Sequence, residues 1–123
     1  MAGSRRQTGA AGEEQARRFL LRSGYQILQM NYRCRFGEID IIAREGPLLV
    51  FVEVRTRTGT GFGKAVESLT ATKKKRLRRL VRYYLARELG REIPCRVDLV
   101  AIDMEGPGRL PRLSHIKGVD LWG

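Results

Sequence analysis

The sequence predicts an α/β domain in which about five strands and two helices follow one another in the order αβββαββ. Two amphipathic helical patterns, separated by short runs of β-branched and aromatic residues, indicate this class. A chain of 123 residues can form one compact core, since a domain of this size buries roughly two-thirds of the surface that its unfolded form exposes. A composition of 42% hydrophobic and 30% charged residues is that of a globular domain.

The chain is expected to begin with a flexible basic arm, residues 1–8, which are small, polar or basic and have nothing to pack. Residues 9–123 then form a single domain. Its first helix is predicted over residues 12–23, where apolar residues recur three and four positions apart. Gly24 follows at the position of a left-handed C-terminal cap.

Three strands are predicted next, over residues 25–33, 38–43 and 48–56, because each run is short and rich in β-branched or aromatic residues. The Arg-Glu-Gly-Pro sequence of residues 44–47 has the composition of a tight turn. The second and third strands should therefore form an antiparallel hairpin.

The second half of the domain repeats the alternation. A glycine-rich loop, residues 59–63, is expected to be mobile and precedes the longest helical pattern, residues 70–89, which has one apolar stripe. Two further strands are predicted over residues 95–102 and 113–116, on either side of a Gly/Pro turn.

The charge of the chain points to a polyanionic partner. Lys and Arg number 24 against 13 Asp and Glu, which gives a formal net charge of +11. A nucleic acid is the commonest target of such a field. An anionic membrane surface and a basic protein without such a partner are the alternatives, and we expect no membrane association.

Cysteine and histidine are too few for other kinds of site. Cys34 and Cys95 cannot form a disulfide scaffold, and His115 alone cannot build a zinc site. No stretch approaches the roughly 18 apolar residues that cross a bilayer. We therefore expect a protein of the reducing cytoplasm.

A basic surface is predicted on the long helix. Its first turn carries basic residues at the end of the helix where the dipole is already positive, so the two repel. A bound phosphate would offset this repulsion. Arg57, near the end of the third strand, is assigned to the same role. A solvated basic face without a ligand is the alternative. The helix residues expected to contact a nucleic-acid backbone are Lys73, Lys74, Lys75, Arg78, Arg79 and Arg82.

One carboxylate lies where a strand should be buried. The third strand is apolar on both faces, since Leu49 and Phe51 share one face with Glu53 while valines occupy the other. A carboxylate in such a strand is costly unless a cation or a hydrogen-bond donor meets it. Glu53 therefore needs a partner.

The hairpin register brings further acids to Glu53. If the turn is centred between Gly46 and Pro47, Asp40 lies directly opposite Glu53, and Glu38 points to the same side. Two carboxylates about 4 Å apart at an effective dielectric near 20 repel by roughly 4 kcal/mol. That is a large fraction of the roughly 5–15 kcal/mol that stabilises a domain, and a divalent cation would offset it.

Glu13 adds a fourth acid, because it lies on the inward stripe of the first helix with Ala16 and Leu20. Oxygen ligands without histidine or cysteine favour a hard ion. The expected metal is therefore Mg²⁺, or Mn²⁺ in its place.

The alternative is that each acid has an ordinary structural role. Glu38 and Asp40 would then lie on an exposed edge strand, and Glu53 would pair with Arg33 or Arg55. The acid of the first helix would complement the helix dipole. Because clustered, perturbed acids mark functional sites, the set as a whole favours the metal site.

Asp40, followed a hairpin later by Glu53-Val54-Arg55, resembles the PD-(D/E)XK nuclease signature. A wider set of runs is similar to the YraN family of bacterial proteins, which are inferred to be endonucleases, and this similarity extends over about residues 9–116. The runs are Gly12-Glu13, Asn31-Tyr32-Arg33, Gly37-Glu38-Ile39-Asp40, Phe51-Val52-Glu53-Val54-Arg55-Thr56-Arg57, Phe62-Gly63, Ala65-Val66 and Arg96-Val97-Asp98.

This resemblance implies a restriction-endonuclease-like core with a central mixed sheet, related to archaeal Holliday-junction resolvases, and metal-dependent cleavage of DNA. It implies that Asp40 and Glu53 bind the metal together with the Val54 carbonyl. Glu13 would complete the metal's ligands directly or through water, and Glu38 is a further acid of the site. Resolution of a junction needs two active sites, so a resolvase-like role predicts a symmetric homodimer. RNA stays open as an alternative target.

Arg55 departs from the signature, which usually has lysine at this position. An arginine does not deprotonate in a protein. Arg55 can therefore position a water or stabilise charge on the phosphate, but it cannot act as a base. The alternative is that Arg55 only neutralises the acids, and that the protein binds DNA or RNA without cutting it.

Overall fold

The computed structural model describes residues 2–58, 69–104 and 110–122. The predicted order αβββαββ is confirmed over these residues. The glycine-rich loop 59–63 and the Gly/Pro turn 106–108 lie outside the described residues. The elements are α1 (Ala2–Arg22), β1 (Gln26–Cys34), β2 (Gly37–Glu45), β3 (Leu48–Thr58), α2 (Ala71–Tyr84), a π-helical turn (Leu85–Leu89), β4 (Cys95–Met104) and β5 (Arg112–Ile116).

Helix α1 begins at Ala2, so it includes the backbone of residues 2–8, which the sequence analysis placed in a separate arm. The division into an arm and a domain stays a prediction. The helix ends as predicted, because Gly24 adopts a left-handed φ of 92°. The amide of Tyr25 donates to the Leu20 carbonyl and that of Gly24 to the Leu21 carbonyl, which is the Schellman arrangement.

The five strands form one mixed sheet in the order β1-β2-β3-β4-β5. Neighbouring strands pair antiparallel except for β3 and β4, which are parallel and are joined through α2. A parallel pair needs such a crossover, because its two strands run in the same direction. The predicted β2–β3 hairpin is confirmed, with Glu45 opposite Leu48 at its turn.

A helix covers each face of the sheet, which explains why β3 is apolar on both sides. On one face Ala16 and Leu20 of α1 pack against Val50 and Val52 of β3. On the other face Leu77, Leu80, Val81 and Tyr84 of α2 pack against a core that includes Phe51 and Leu99. Among the described helices, none is long and apolar enough to cross a membrane.

Candidate metal centre

The hairpin opens where its two central acids lie. Paired residues of β2 and β3 run from the turn to Ile41 opposite Val52, and the pairing ends there. Continued by one residue, the same register would place Asp40 opposite Glu53, so the predicted register of the hairpin is confirmed up to the two acids. Beyond Val52 the amide of Val54 donates to the Asp40 carboxylate at 2.7 Å. A side chain thus accepts the hydrogen bond in place of a strand carbonyl, and the aspartate is fixed at the opening.

The neighbouring strand is irregular at the same level. Asn31 of β1 has a left-handed φ of 55°, and its neighbours Met30 and Tyr32 lie in the cores on opposite faces of the sheet. In a regular strand, residues two apart share a face. On β2, Ile39 and Ile41 also lie in the cores on opposite faces of the sheet. The aspartate between them is therefore accessible to groups from both faces.

Three acids from two elements meet at this level. One carboxylate oxygen from each of Glu13, Glu38 and Asp40 lies within 4.8 Å of the other two. With the Asn31 amide oriented so that its nitrogen faces the acids, it donates to Glu13 Oε1 at 2.8 Å and also to Glu38. These oxygens form a group that could hold a metal ion, and oxygen-only groups suit hard divalent ions.

Glu53 borders this triad but faces two arginines. Its side chain is buried, with 4% exposed. Glu53 Oε2 lies 3.4 Å from Arg76 Nη2 of α2 and 3.9 Å from Arg55 Nη1 of β3. Pairing with Arg55 was one of the alternatives, whereas Arg33 pairs instead with Glu38 at 3.7 Å. The assignment of Glu53 and the Val54 carbonyl as metal ligands stays a prediction.

The pKa values of three acids of the cluster are raised above their ordinary values. Burial and then the charge of Glu53 raise the pKa of Asp40 to about 8, against the lowering effect of the hydrogen bond from the Val54 amide. Burial also raises the pKa of Glu53 against the effect of Arg76 and Arg55. Burial and then Glu38 raise the pKa of Glu13. Each shift disfavours the anion, so a cation that stabilises the anions has a site that favours it.

Sequence reasoning missed Arg76 and Asn31 as members of this site. Arg76 lies four residues before Leu80 on α2 and so on the stripe that faces the sheet, which is a signal that could have identified it. Nothing in the sequence indicates the left-handed backbone of Asn31, although asparagine tolerates that conformation better than most residues.

The predicted basic surface separates into parts with different contacts. The guanidinium carbon of Arg79 lies 5.5 Å from the centre of the Phe36 ring. Phe36 belongs to the turn between β1 and β2. Arg78 and Arg82 lie over the indole of Trp122. Lys75 is exposed, Lys73 and Lys74 are partly buried, and the Lys73 amide is capped by the Thr70 hydroxyl. Arg57 lies on β3 beside Asp103 of β4. Nucleic-acid binding by these residues stays a prediction.

A second buried acid has a structural role. Asp98 of β4 is fully buried and accepts hydrogen bonds from Arg96, Tyr25 and the Gly118 amide, while His115 Nε2 lies 2.9 Å from it. Burial by itself raises the pKa of Asp98, but these partners hold it below its ordinary value. The carboxylate is therefore satisfied within the protein.

The fold and the site together define a class: an α/β domain with a mixed sheet of restriction-endonuclease-like type, bearing an acidic cluster that could hold a metal ion. The sequence profile of the uncharacterised protein family UPF0102 matches residues 12–102. The chain belongs to this family, which is the YraN family that its motifs resemble.

Relatives of the same name cover nearly the whole chain. A UPF0102 protein of Nocardia farcinica is 45% identical over 95% of this chain and 91% of the relative. One of Symbiobacterium thermophilum is 50% identical over 85% of this chain and 89% of its own length. One of Cupriavidus metallidurans is 50% identical over 93% of this chain and 83% of the relative. These names assign no activity.

Proposed function

We propose that this protein is a metal-dependent endonuclease that hydrolyses phosphodiester bonds of DNA at the acids around Asp40. The observation that carries the proposal is the convergence of Glu13, Glu38 and Glu53 on that aspartate from α1, β2 and β3. Such a cluster in a chain of net charge +11 joins a cation site to a polyanion-attracting surface.

The ligand atoms fit Mg²⁺ or Mn²⁺. All are carboxylate oxygens, and within the described residues neither cysteine nor histidine belongs to the group. The acids also repel one another while partly buried, which is the condition that a divalent ion relieves. When bound, such an ion polarises a scissile phosphate and lowers the pKa of a coordinated water.

The chain's own residues orient these acids and balance their charge. The Val54 amide holds the Asp40 carboxylate, while Asn31 holds Glu13 and Glu38. Arg76 meets Glu53 from α2. With that carboxylate already paired, Arg55 can turn its guanidinium to the phosphate and stabilise the charge that develops there.

A branched substrate and a homodimer complete the proposal. Both follow from the resemblance to Holliday-junction resolvases, because cutting two strands of a junction symmetrically needs two active sites related by a two-fold axis. The basic residues of α2 supply contacts to the phosphate backbone that do not depend on base sequence.

A second candidate is a nucleic-acid-binding protein without activity. The observation that favours it is the pairing of Glu53 with two arginines, at 3.4 and 3.9 Å. A buried acid neutralised in this way has less need of a metal. Arginine also cannot serve as a general base.

Cleavage assays separate the two candidates. The wild type and the variants Asp40→Asn and Glu53→Gln are incubated with Mg²⁺ or Mn²⁺ and linear, flapped or four-way-junction DNA. Glu14→Gln is the matched control, since Glu14 is adjacent to Glu13 but pairs with Arg17 and Arg18 outside the cluster. We expect cutting by the wild type and the control alone. Salt-sensitive binding by all four proteins without any cutting would establish the second candidate.

A further inference from the structure

A cavity lies on the α2 side of the sheet, away from the acids. It has a volume of about 370 Å³ and is bounded by α2, the beginning of β4 and the C-terminal residues 118–122. Its wall combines apolar residues such as Val81 and Val97 with the basic residues Arg78 and Arg82, and it includes one acid, Asp120. Arginines in a partly apolar wall can contact an anionic group that lies beside an apolar one.

Trp122 lies at the edge of this cavity and is 70% exposed. The guanidinium carbons of Arg78 and Arg82 lie 4.7 and 5.1 Å from the centre of its ring. The two arginines are four residues apart on α2, so both approach the indole from the helix side. With 70% of the residue exposed, part of the ring is open to solvent.

The position of the indole is fixed by the chain around it. Leu121 is buried in the core beneath α2, and its carbonyl accepts a hydrogen bond from Arg78 Nη1. The Trp122 amide donates to Asp120 Oδ1 at 2.9 Å. The Val119 amide donates to the Val97 carbonyl at 2.7 Å, which ties this segment to β4. The chain that leads to Trp122 is therefore anchored to α2 and to β4.

We propose that Trp122, Arg78 and Arg82 form a site for one nucleotide of a single strand, with its base stacked on the indole and its phosphate against the arginines. An aromatic face beside guanidinium groups is the combination that binds single strands without reading sequence. Arg82 suits the phosphate, because its guanidinium lies over the indole and pairs with no carboxylate among the described residues.

This inference rests on the proposed function, which supplies the substrate class, and it adds a position at which the nucleic-acid strand binds. Arg76, which meets Glu53, and Arg82, which meets Trp122, are six residues apart on α2, or roughly 9 Å along the helix axis. The site would hold a nucleotide that flanks the phosphate to be cut. It predicts that the protein needs unpaired bases near that phosphate.

The single tryptophan of the chain makes this site directly observable. Intrinsic fluorescence is titrated with an oligothymidylate of about ten nucleotides, in EDTA so that no strand is cut. An abasic oligomer of equal length supplies the same charge without bases. We expect saturable quenching by the oligothymidylate and little by the abasic oligomer.

Variants then test the strength of the contact. We expect Trp122→Ala to weaken oligothymidylate binding roughly fivefold or more, measured by anisotropy of a labelled strand, and Trp122→Phe to keep most of the affinity. Arg82→Gln should weaken binding more than Arg22→Gln, which removes an equal charge from the end of α1 on the opposite face of the sheet. Equal losses for these two variants would overturn the arginine assignment.

Other occupants give different results. A change in emission with protein concentration alone, without oligonucleotide, would mean that a second copy covers Trp122 and would overturn the proposal. Equal quenching by oligouridylate would support the base-and-phosphate chemistry and extend it to RNA. The titration needs neither metal nor cleavage, so its result is independent of the nuclease assay. Quenching without nuclease activity would support the nucleotide site and contradict the proposed nuclease. Cleavage without quenching would support the nuclease and overturn the nucleotide site.

Discussion

Replacing Asp40 by asparagine should stabilise the metal-free protein. Asparagine is close in size to aspartate, can accept the hydrogen bond from the Val54 amide and has no charge. It therefore removes the repulsion among the clustered acids without emptying the site. Functional sites commonly hold such unfavourable arrangements at a cost in stability.

The magnitude follows from the pKa of Asp40, which burial and then Glu53 raise from an ordinary 3.8 to about 8. The folded wild type binds a proton that the unfolded chain has released, so its stability falls as pH rises between these two values and is constant above them. The full shift corresponds to a ceiling of about 6 kcal/mol. Partial exposure of the side chain and relaxation around it reduce the expected gain for the variant to about 2 kcal/mol at high pH.

Thermal denaturation in EDTA, followed by circular dichroism, measures this gain. For a chain of this length about 2 kcal/mol corresponds to a rise in Tm of roughly 8 °C at about pH 8.5, and the difference should nearly vanish at about pH 4. Glu14→Gln is the control and has the opposite sign, because Arg17 and Arg18 hold the pKa of Glu14 at about 2. An Asp40→Asn variant that is no more stable than the wild type at high pH would refute the reasoning.

Three further outcomes are expected. Saturating Mg²⁺ should raise the Tm of the wild type but not that of Asp40→Asn, by calorimetry, and an equal rise in both would contradict the site. Asp98→Asn should cost about 1–3 kcal/mol in urea denaturation, because the hydrogen bonds from Arg96, Tyr25 and the Gly118 amide would lose their charged acceptor; a neutral result would contradict this role. Gly12→Ala should cost about 1–3 kcal/mol because its Cβ would collide with Thr56, and a second change, Thr56→Ala, should restore most of the loss.

Much of the fold could be predicted because local patterns and turn chemistry agree. Glycine at position 24 and the turn of residues 44–47 fix where α1 ends and where the hairpin reverses. The apolar faces of β3 required a cover on both sides, and α1 and α2 supply it. The beginning of α1 was not predicted, since residues 2–8 have no apolar stripe from which a helix could be inferred.

The acids of the candidate site could be predicted from the sequence, but the residues that surround them could not. The closeness of Asp40 to Glu53 could be predicted by counting residues out from the turn, which a hairpin register permits. The contact between Arg76 and Glu53 depends on how α2 sits across the sheet, and that is a tertiary property. The left-handed Asn31 breaks the alternation on which strand reasoning depends, so its place beside Glu13 and Glu38 could not be read from spacing.

Asp98 and Asp40, two aspartates of one sheet, differ in how the protein satisfies their carboxylates. Asp98 receives donors from a guanidinium, a phenol and a backbone amide, and its pKa is lowered. Asp40 receives one amide, faces other carboxylates, and has its pKa raised. The protein surrounds the Asp98 carboxylate with hydrogen-bond donors but gives Asp40 only one. The shortage of donors is therefore particular to the place where Asp40 lies. A charge left in this state would be stabilised by a cation from outside the protein, and Asp40 belongs to the acidic group that could hold one.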